Sequence, residues 1–386
     1  MDHSDPLAGL DVRRARRYRR ISIALYGVGL AFSVGQAAWL ALSGRSARLR
    51  SWSERRVPRK SLATPAYLLS SQALDWLTSL PLSFAGGYTV ERYFGLTTRT
   101  PGSWLAEQVK SAIVATAFQV PLGTAAFSVI RRRPADWWLL LSAGSLPLAV
   151  LGTRLGPVVI APLFNRFDRV DDADLVERIT ELGERAGVRI ADVYRMDMSH
   201  QTEKANAYFT GTGRSKRIVL GDTLLDRFDI AEIEAVVAHE LGHQVHGDLW
   251  RLIALYSGFG FLTAFGLHRA MPILIRCGRG RSGVRSAGDV AALPLFTLAL
   301  TMIGLILQPV EAAINRRIER RTDAFAVNLT GDGEAYARAM ARLALQNLDD
   351  PDPPRWLVWL LYGHPPTAER IAMARATSDE RSAVSM

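Results

Sequence analysis

Residues 235–243 read Ala-Val-Val-Ala-His-Glu-Leu-Gly-His. His239 and His243 stand four apart, so on an α-helix they share one face about one turn from each other. Both imidazoles can then reach a single metal ion. Glu240 follows the first His and stands where a carboxylate can take a proton from water activated at the metal. Zn2+ is the metal this donor set suggests first, although two His and a carboxylate also admit other divalent ions. The competing reading is an ordinary amphipathic helix with surface histidines. The chain has only seven His, yet two fall at this spacing around a Glu. The lead-in Ala235–Ala238 is apolar, which suits a helix buried beneath a site.

A third ligand should come from elsewhere in the chain. Glu319, in the run Asn315-Arg316-Arg317-Ile318-Glu319-Arg320-Arg321-Thr322-Asp323, is the leading candidate, and Glu311 is its rival. A charged helix end solvating a membrane boundary is the bland alternative for this run. Asp323 lies four residues beyond Glu319 on the same face, placed to hydrogen-bond a ligating His. His246 shares the face of His239 and His243, but at 1.5 Å rise per residue it lies roughly 10 Å from His239. It is expected beside the site or on the surface. The spacing of a three-His ligand set is absent, because position 246 is His and the Gly is 247.

Outward from the motif the chain is strongly apolar in blocks. Hydrophobic residues make up 48% of the 386, alongside 47 Lys and Arg. Six runs, about Ile21–Leu42, Ala66–Tyr88, Ala106–Ile130, Trp137–Leu155, Leu252–Ile275 and Val290–Ile314, approach or exceed the ~20 residues that span a bilayer. Buried helices of a soluble protein would show a polar face, and Ile21–Leu42 and Val290–Leu307 show almost none. The first run is too long for a cleaved signal peptide and is expected to be retained. The net charge of +10 sits in loops beside these runs. That arrangement, without any nucleic-acid-binding motif, argues for a lipid bilayer as partner and against nucleic acid. The single Cys277 excludes an intrachain disulfide and has no neighbouring Cys or His to share a metal.

Between Arg166 and Glu234 the texture is soluble. Leu175, Ile179 and Leu182 mark one face of a helix over Asp171–Ala186. Asp192–Met196, Asn206–Thr210 and Arg217–Leu220 read as strands, the last two joined by Gly211-Thr212-Gly213-Arg214. A further helix is expected over Glu334–Gln346. The chain therefore divides into an N-terminal membrane region with four spans (1–160) and a second region (161–386) with the motif helix, two more spans and a soluble tail. Six spans and the arginines at positions 13–20 place the N-terminus, the soluble stretch and the C-terminus in the cytoplasm. The basic loops at 45–60, 131–133 and around Cys277 then lie outside, against the charge rule.

At these residues the chain resembles the CAAX prenyl endopeptidases, membrane proteins with multiple spans. The likeness includes Val90-Glu91-Arg92-Tyr93-Phe94-Gly95-Leu96, Ile160-Ala161-Pro162-Leu163-Phe164-Asn165, Asn206-Ala207-Tyr208-Phe209 and Lys216-Arg217-Ile218-Val219-Leu220-Gly221-Asp222-Thr223-Leu224-Leu225. It closes with Glu319…Asp323 and Gly363-His364-Pro365-Pro366…Glu369-Arg370. The resemblance implies a mainly α fold: a polytopic membrane helical bundle with a zincin-like catalytic domain containing a small β-sheet. It implies His239, His243 and Glu319 as ligands of one Zn2+ and Glu240 as general base. It also implies a substrate-holding strand at Asn206, Ala207 and Tyr208, a substrate or oxyanion contact by His364, and support from Arg370. The chain departs from the pattern at Thr322, where Ala is usual, at Asn315, where Ser is usual, and in six spans against seven.

The implied activity is zinc-dependent endopeptidase hydrolysis in a bacterial cell membrane. The substrate is expected to be a peptide or protein, lipidated or membrane-associated. A quality-control protease for membrane proteins is the rival enzyme reading. A membrane scaffold with a decayed site is the reading from another class, and the complete set His239, Glu240, His243 and Glu319 argues against decay.

Overall fold

The computed structural model describes residues 5–384 apart from 212, 214, 215 and 279. Thr212 and Arg214 of the expected turn therefore lie outside the described residues. The first helix, α1 (Val12–Leu42), starts where the Asp11 side chain accepts from the Arg14 amide, satisfying one of the donors a helix start leaves free. After Gly44 the basic stretch expected as a loop forms a short helix, α2 (Arg45–Arg56). Next come α3 (Ala63–Phe84) and α4 (Pro101–Arg132). In α4, Thr100 and Ser103 cap each other's amides and Pro101 occupies the first turn, where a missing N–H costs nothing. The helix α5 (Trp137–Leu155) runs on through a wider turn, Gly156–Ile160, to Phe164.

The chain then leaves the bundle for a small mixed sheet of β1 (Phe167–Arg169), β2 (Asp192–Met196), β3 (Ala207–Thr210) and β4 (Arg217–Gly221). Strand order is β1-β2-β4-β3, with β2 and β4 parallel and the other pairs antiparallel. The sheet thus has β3 at one edge. Between β1 and β2, helix α6 (Ala173–Arg185) buries Leu175, Ile179 and Leu182, the stripe its periodicity predicts. The remaining longer helices are α7 (Ile230–His246), α8 (Asp248–Cys277), α9 (Leu293–Thr330), α10 (Gly333–Asn347), α11 (Arg355–Leu361) and α12 (Thr367–Val384). One core unites this part of the chain, with Ile179, Ile218, Leu220, Val237, Leu241, Val327 and Tyr336 almost fully buried.

Five described helical segments are long and apolar enough to cross a membrane: Val12–Leu42, Pro101–Arg132, Trp137–Phe164, Asp248–Cys277 and Val290–Thr330. Their large apolar side chains, Ile113, Leu151, Leu262 and Ile306 among them, point outward, as lipid-facing residues must. The run expected over Ala66–Tyr88 is helical but more polar, and it falls outside these five. Even so, α3 traverses the same depth. Near its start Tyr67 bonds Ser46 at 2.6 Å, at the far end of the bundle. Just beyond its end Glu91 meets Lys204 at 3.0 Å, beside the sheet.

Contacts also show which ends lie together. Tyr18, early in α1, bonds Glu91 at 2.5 Å, and Arg19 pairs with the buried Asp350 at 2.9 Å. The arginine-rich start of α1 therefore sits at the same end of the bundle as the sheet and the motif helix.

Candidate metal centre

Helix α7 carries the motif. Its start is fixed by a capping box in which Asp229 accepts from the Glu232 amide and Glu232 accepts from the Asp229 amide. Its end is fixed by Gly247, whose φ of 65° is the left-handed conformation that glycine adopts without a steric penalty. His239 is buried, at 8% exposure, and so is Glu319 on α9.

The three candidate ligands converge. One donor atom from each of His239, His243 and Glu319 lies within 4.8 Å of the other two. His239 Nε2 is 3.3 Å from Glu319 Oε2, and His243 Nε2 is 3.6 Å from Glu319 Oε1. Tetrahedral ligands at zinc-like bond lengths of about 2.1 Å stand roughly 3.4 Å apart, so the spacing fits a zinc-sized cation. Glu319 Oε2 is buried without a well-formed hydrogen bond among the described residues. A buried carboxylate oxygen without such a bond is costly unless a cation or proton meets it.

The other ring nitrogens are occupied, which frees each Nε2. His239 Nδ1 lies 2.9 Å from Asp323 Oδ1. His243 Nδ1 donates to Asp248 Oδ2 at 3.0 Å. Each carboxylate holds its imidazole in one orientation and raises its basicity. Burial opposes charge on His239, but the Asp323 and Glu319 carboxylates beside its ring outweigh this and push its pKa up to about 9. Burial raises the Glu240 carboxyl above the ordinary range, opposed by charge on His239 and His243.

Asp323 is itself fixed. Arg370 donates to both of its oxygens, at 2.9 and 2.6 Å, and Tyr336 donates to one at 2.5 Å. Arg370 also donates to the Tyr336 hydroxyl at 2.9 Å. Helices α7, α9, α10 and α12 thus meet in one polar knot under His239. Burial against Asp323 pushes the Tyr336 hydroxyl well above its usual range, so it remains a donor.

The close approach of α7 to α9 depends on the variable positions of both motifs. A Cβ on Gly242 would lie 2.8 Å from Thr322 Cγ2 and 3.0 Å from Phe325. Thr322 turns its hydroxyl back to the Ile318 carbonyl at 3.0 Å and its methyl towards α7. Its departure from Ala is thereby accommodated.

A cavity of about 560 Å³ opens onto His239 and Glu240, with Asn206, Ala207, His364 and Arg370 in its wall. His364 Nε2 is 3.5 Å from Glu319 Oε2. Asn206 and Ala207 thus line the site, whereas Tyr208, the strand neighbour of Ala207 and so on the opposite face, lines a separate cavity with Arg154 and Arg217. Glu311 and His246 are not in the ligand cluster. The His246 ring instead packs against Phe325 at 5.5 Å. The sequence reading missed Asp248 and Tyr336. For Asp248, a carboxylate just past the glycine that ends the motif helix is a usable signal. For Tyr336, no local pattern marks it.

A bundle of outward-facing apolar helices carrying a His-Glu-x-x-His helix opposite a buried carboxylate defines a membrane metallopeptidase. The model for peptidase family M48 matches residues 170–378, and one described as CAAX prenyl protease N-terminal, five membrane helices, matches residues 7–166. The chain belongs to peptidase family M48, whose members are in general zinc-dependent. It is 29% identical to the Bacillus subtilis uncharacterized metalloprotease YhfN, over 93% of this chain and 84% of that protein. It is likewise 29% identical to CAAX prenyl protease 1 of Saccharomyces cerevisiae, over 81% of this chain and 72% of the yeast protein. The crystal structure of S. mikatae Ste24p shares the fold, with a TM-score of 0.82, 24% identity and coverage of 95% of this chain and 90% of that one. The chain is thus a multi-pass membrane metalloendopeptidase acting on peptides or proteins.

Proposed function

We propose that this enzyme holds one Zn2+ on His239, His243 and Glu319 and cleaves peptides near a lipidated, membrane-associated C-terminus. The observation that carries the reading is the convergence of both Nε2 atoms on Glu319, at 3.3 and 3.6 Å, beside Glu240. Zinc would supply a Lewis acid for the scissile carbonyl and lower the pKa of water to about 7. Glu240 takes the proton from the attacking water and passes it to the leaving amine. Asp323 and Asp248 keep the two imidazoles aimed, and Arg370 keeps Asp323 charged and in place. His364 reaches the carbonyl oxygen as negative charge develops on it.

The substrate lies along β3 as an added strand. Asn206 accepts from the Gly221 amide at 2.9 Å and so belongs to the paired side. In antiparallel pairing the alternate residues, Ala207 and Phe209, then turn their N–H and C=O to the open edge. The names of the relatives support a CAAX-like substrate, and the membrane spans support one that arrives along the bilayer. We place the enzyme in a bacterial cell membrane with its site towards the cytoplasm, because the arginine-rich start of α1 shares the catalytic end. The boundary between the two matched stretches, near residue 166, supports a division at about 160.

A peptide series tests the substrate. Peptides ending in a CAAX-like tetrapeptide, with and without a prenyl group on the Cys, are compared with unfolded membrane segments. One fixed cleavage site near the C-terminus, faster on the prenylated member, is expected. Scattered cleavage of the unfolded segments with none at the C-terminus would overturn it in favour of quality control.

A further inference from the structure

The end of the bundle remote from the metal centre contains a third cavity, of about 610 Å³. It lies where the membrane helices finish: Thr64 opens α3, Arg131 closes α4 and Val290 opens the last span. Along α9 the 26 residues from Leu293 to Glu319 place it ~39 Å from the candidate ligands. That separation matches the ~40–45 Å thickness of a bilayer with its headgroup regions, with the metal centre towards one surface and this cavity towards the other.

Its lining is basic, with Arg50, Lys60, Arg131 and Arg285 against Glu54 and Asp289. Asp289 is already committed. It pairs with Arg50, accepts from the Arg285 amide at 3.0 Å and caps the start of the last span at the Ala291 amide, 3.0 Å away. Among the described residues Glu54 pairs with Arg50 alone, at 3.9 Å. Arg131 touches neutral groups at long range, Thr64 and the Gly288 carbonyl both at 3.4 Å. Lys60 and the Arg285 side chain have no carboxylate partner among the described residues. Arg50 is buried, with its side chain 9% exposed, and its Nε donates to nothing well aligned. Four cations therefore converge on two carboxylates, of which Asp289 is already committed and Glu54 makes one loose contact among the described residues, so the cavity keeps a net positive charge.

We propose that this cavity binds the phosphodiester headgroup of an anionic phospholipid, which bridges the Lys60 turn after α2, the start of α3, the end of α4 and the segment before α9 at the face opposite the active site. The phosphate accepts from Lys60, Arg131 and Arg285, with the Thr64 hydroxyl as a neutral donor, and the acyl chains lie along the outward apolar faces. Basic groups at a membrane surface each contribute about fivefold to affinity for anionic lipid. Occupancy is fixed by position: a lipid phosphate is delivered to this depth, whereas a soluble anion must compete from water.

The full-length enzyme in nanodiscs of phosphatidylcholine, with and without phosphatidylglycerol, tests this. Lipid retained through detergent exchange is counted by native mass spectrometry. We expect selective retention of phosphatidylglycerol, reduced about fivefold in Lys60→Gln and in Arg285→Gln and about 25-fold in the double variant. Both residues are exposed and make no side-chain bond the fold needs, and peptide hydrolysis by each variant reports that it has folded. Equal retention of the two lipids, or unchanged selectivity in the folded double variant, would overturn the proposal. So would full displacement of phosphatidylglycerol by millimolar inorganic phosphate, which would make the site one for free phosphate.

Discussion

Asp248 Oδ2 accepts from His243 Nδ1 at 3.0 Å across the break between two helices. Gly247 makes that break, and Asp248 is the first residue of the next helix, α8. There the helix dipole stabilises its charge. Arg321, on the helix that carries Glu319, also pairs with it. One carboxylate therefore ties together the motif helix, a membrane span and the helix that carries Glu319.

Asp248→Asn should weaken zinc roughly 10–100-fold, the usual effect of losing a carboxylate behind a ligating imidazole. Competition with a chromophoric chelator measures it. Arg321→Gln leaves the His243 bond in place and should move affinity less. Equal losses in the two variants would make Asp248 a packing residue only.

Gly242→Ala puts helix propensity against packing. Alanine gains about 1 kcal/mol in a helix interior. Its methyl would lie 2.8 Å from Thr322 Cγ2, on a β-branched side chain with little rotamer freedom. Overpacking of this kind costs about 1–3 kcal/mol. We expect a lower melting temperature and weaker zinc binding, because separating α7 from α9 moves Glu319 from the histidines. A variant as stable as the parent, with unchanged zinc affinity, would show that the helices are not in close contact.

Arg370→Met leaves Asp323, at 1% exposure, charged and buried beside Tyr336. Breaking one side of a buried pair costs about 3–5 kcal/mol. Asp323→Asn combined with Arg370→Met removes both charges and should be less destabilised than Arg370→Met alone. Thermal unfolding in detergent ranks the two, and the reverse order would contradict the charge-pair account.

Much of this was legible in the sequence because periodicity and spacing are local. The strand Asp192–Met196 ends where its pattern ends. His239 and His243 needed only helical geometry. Glu319 was a candidate from spacing because it follows a span, but its approach to within 3.3 Å of His239 is set by the packing of α7 on α9. Local signals also fail where a segment is polar for tertiary reasons. The helix α3 crosses the bundle with Gln72 hydrogen-bonded to Gln119 and Asp75 to Gln36, so hydropathy understates it. The arginines of α2 read as a loop, yet Arg50 is buried against Asp289, 239 residues away in the chain. Tyr336 belongs to the same class, since its partners lie on two other helices.

The central claim is that Glu240 does the proton work at a zinc held by His239, His243 and Glu319. Zinc content by elemental analysis and hydrolysis of a fixed-site peptide, both measured on Glu240→Gln, test it most directly. The account predicts stoichiometric zinc, as in the parent enzyme, with hydrolysis reduced at least about a hundredfold. Full zinc with undiminished hydrolysis would contradict it.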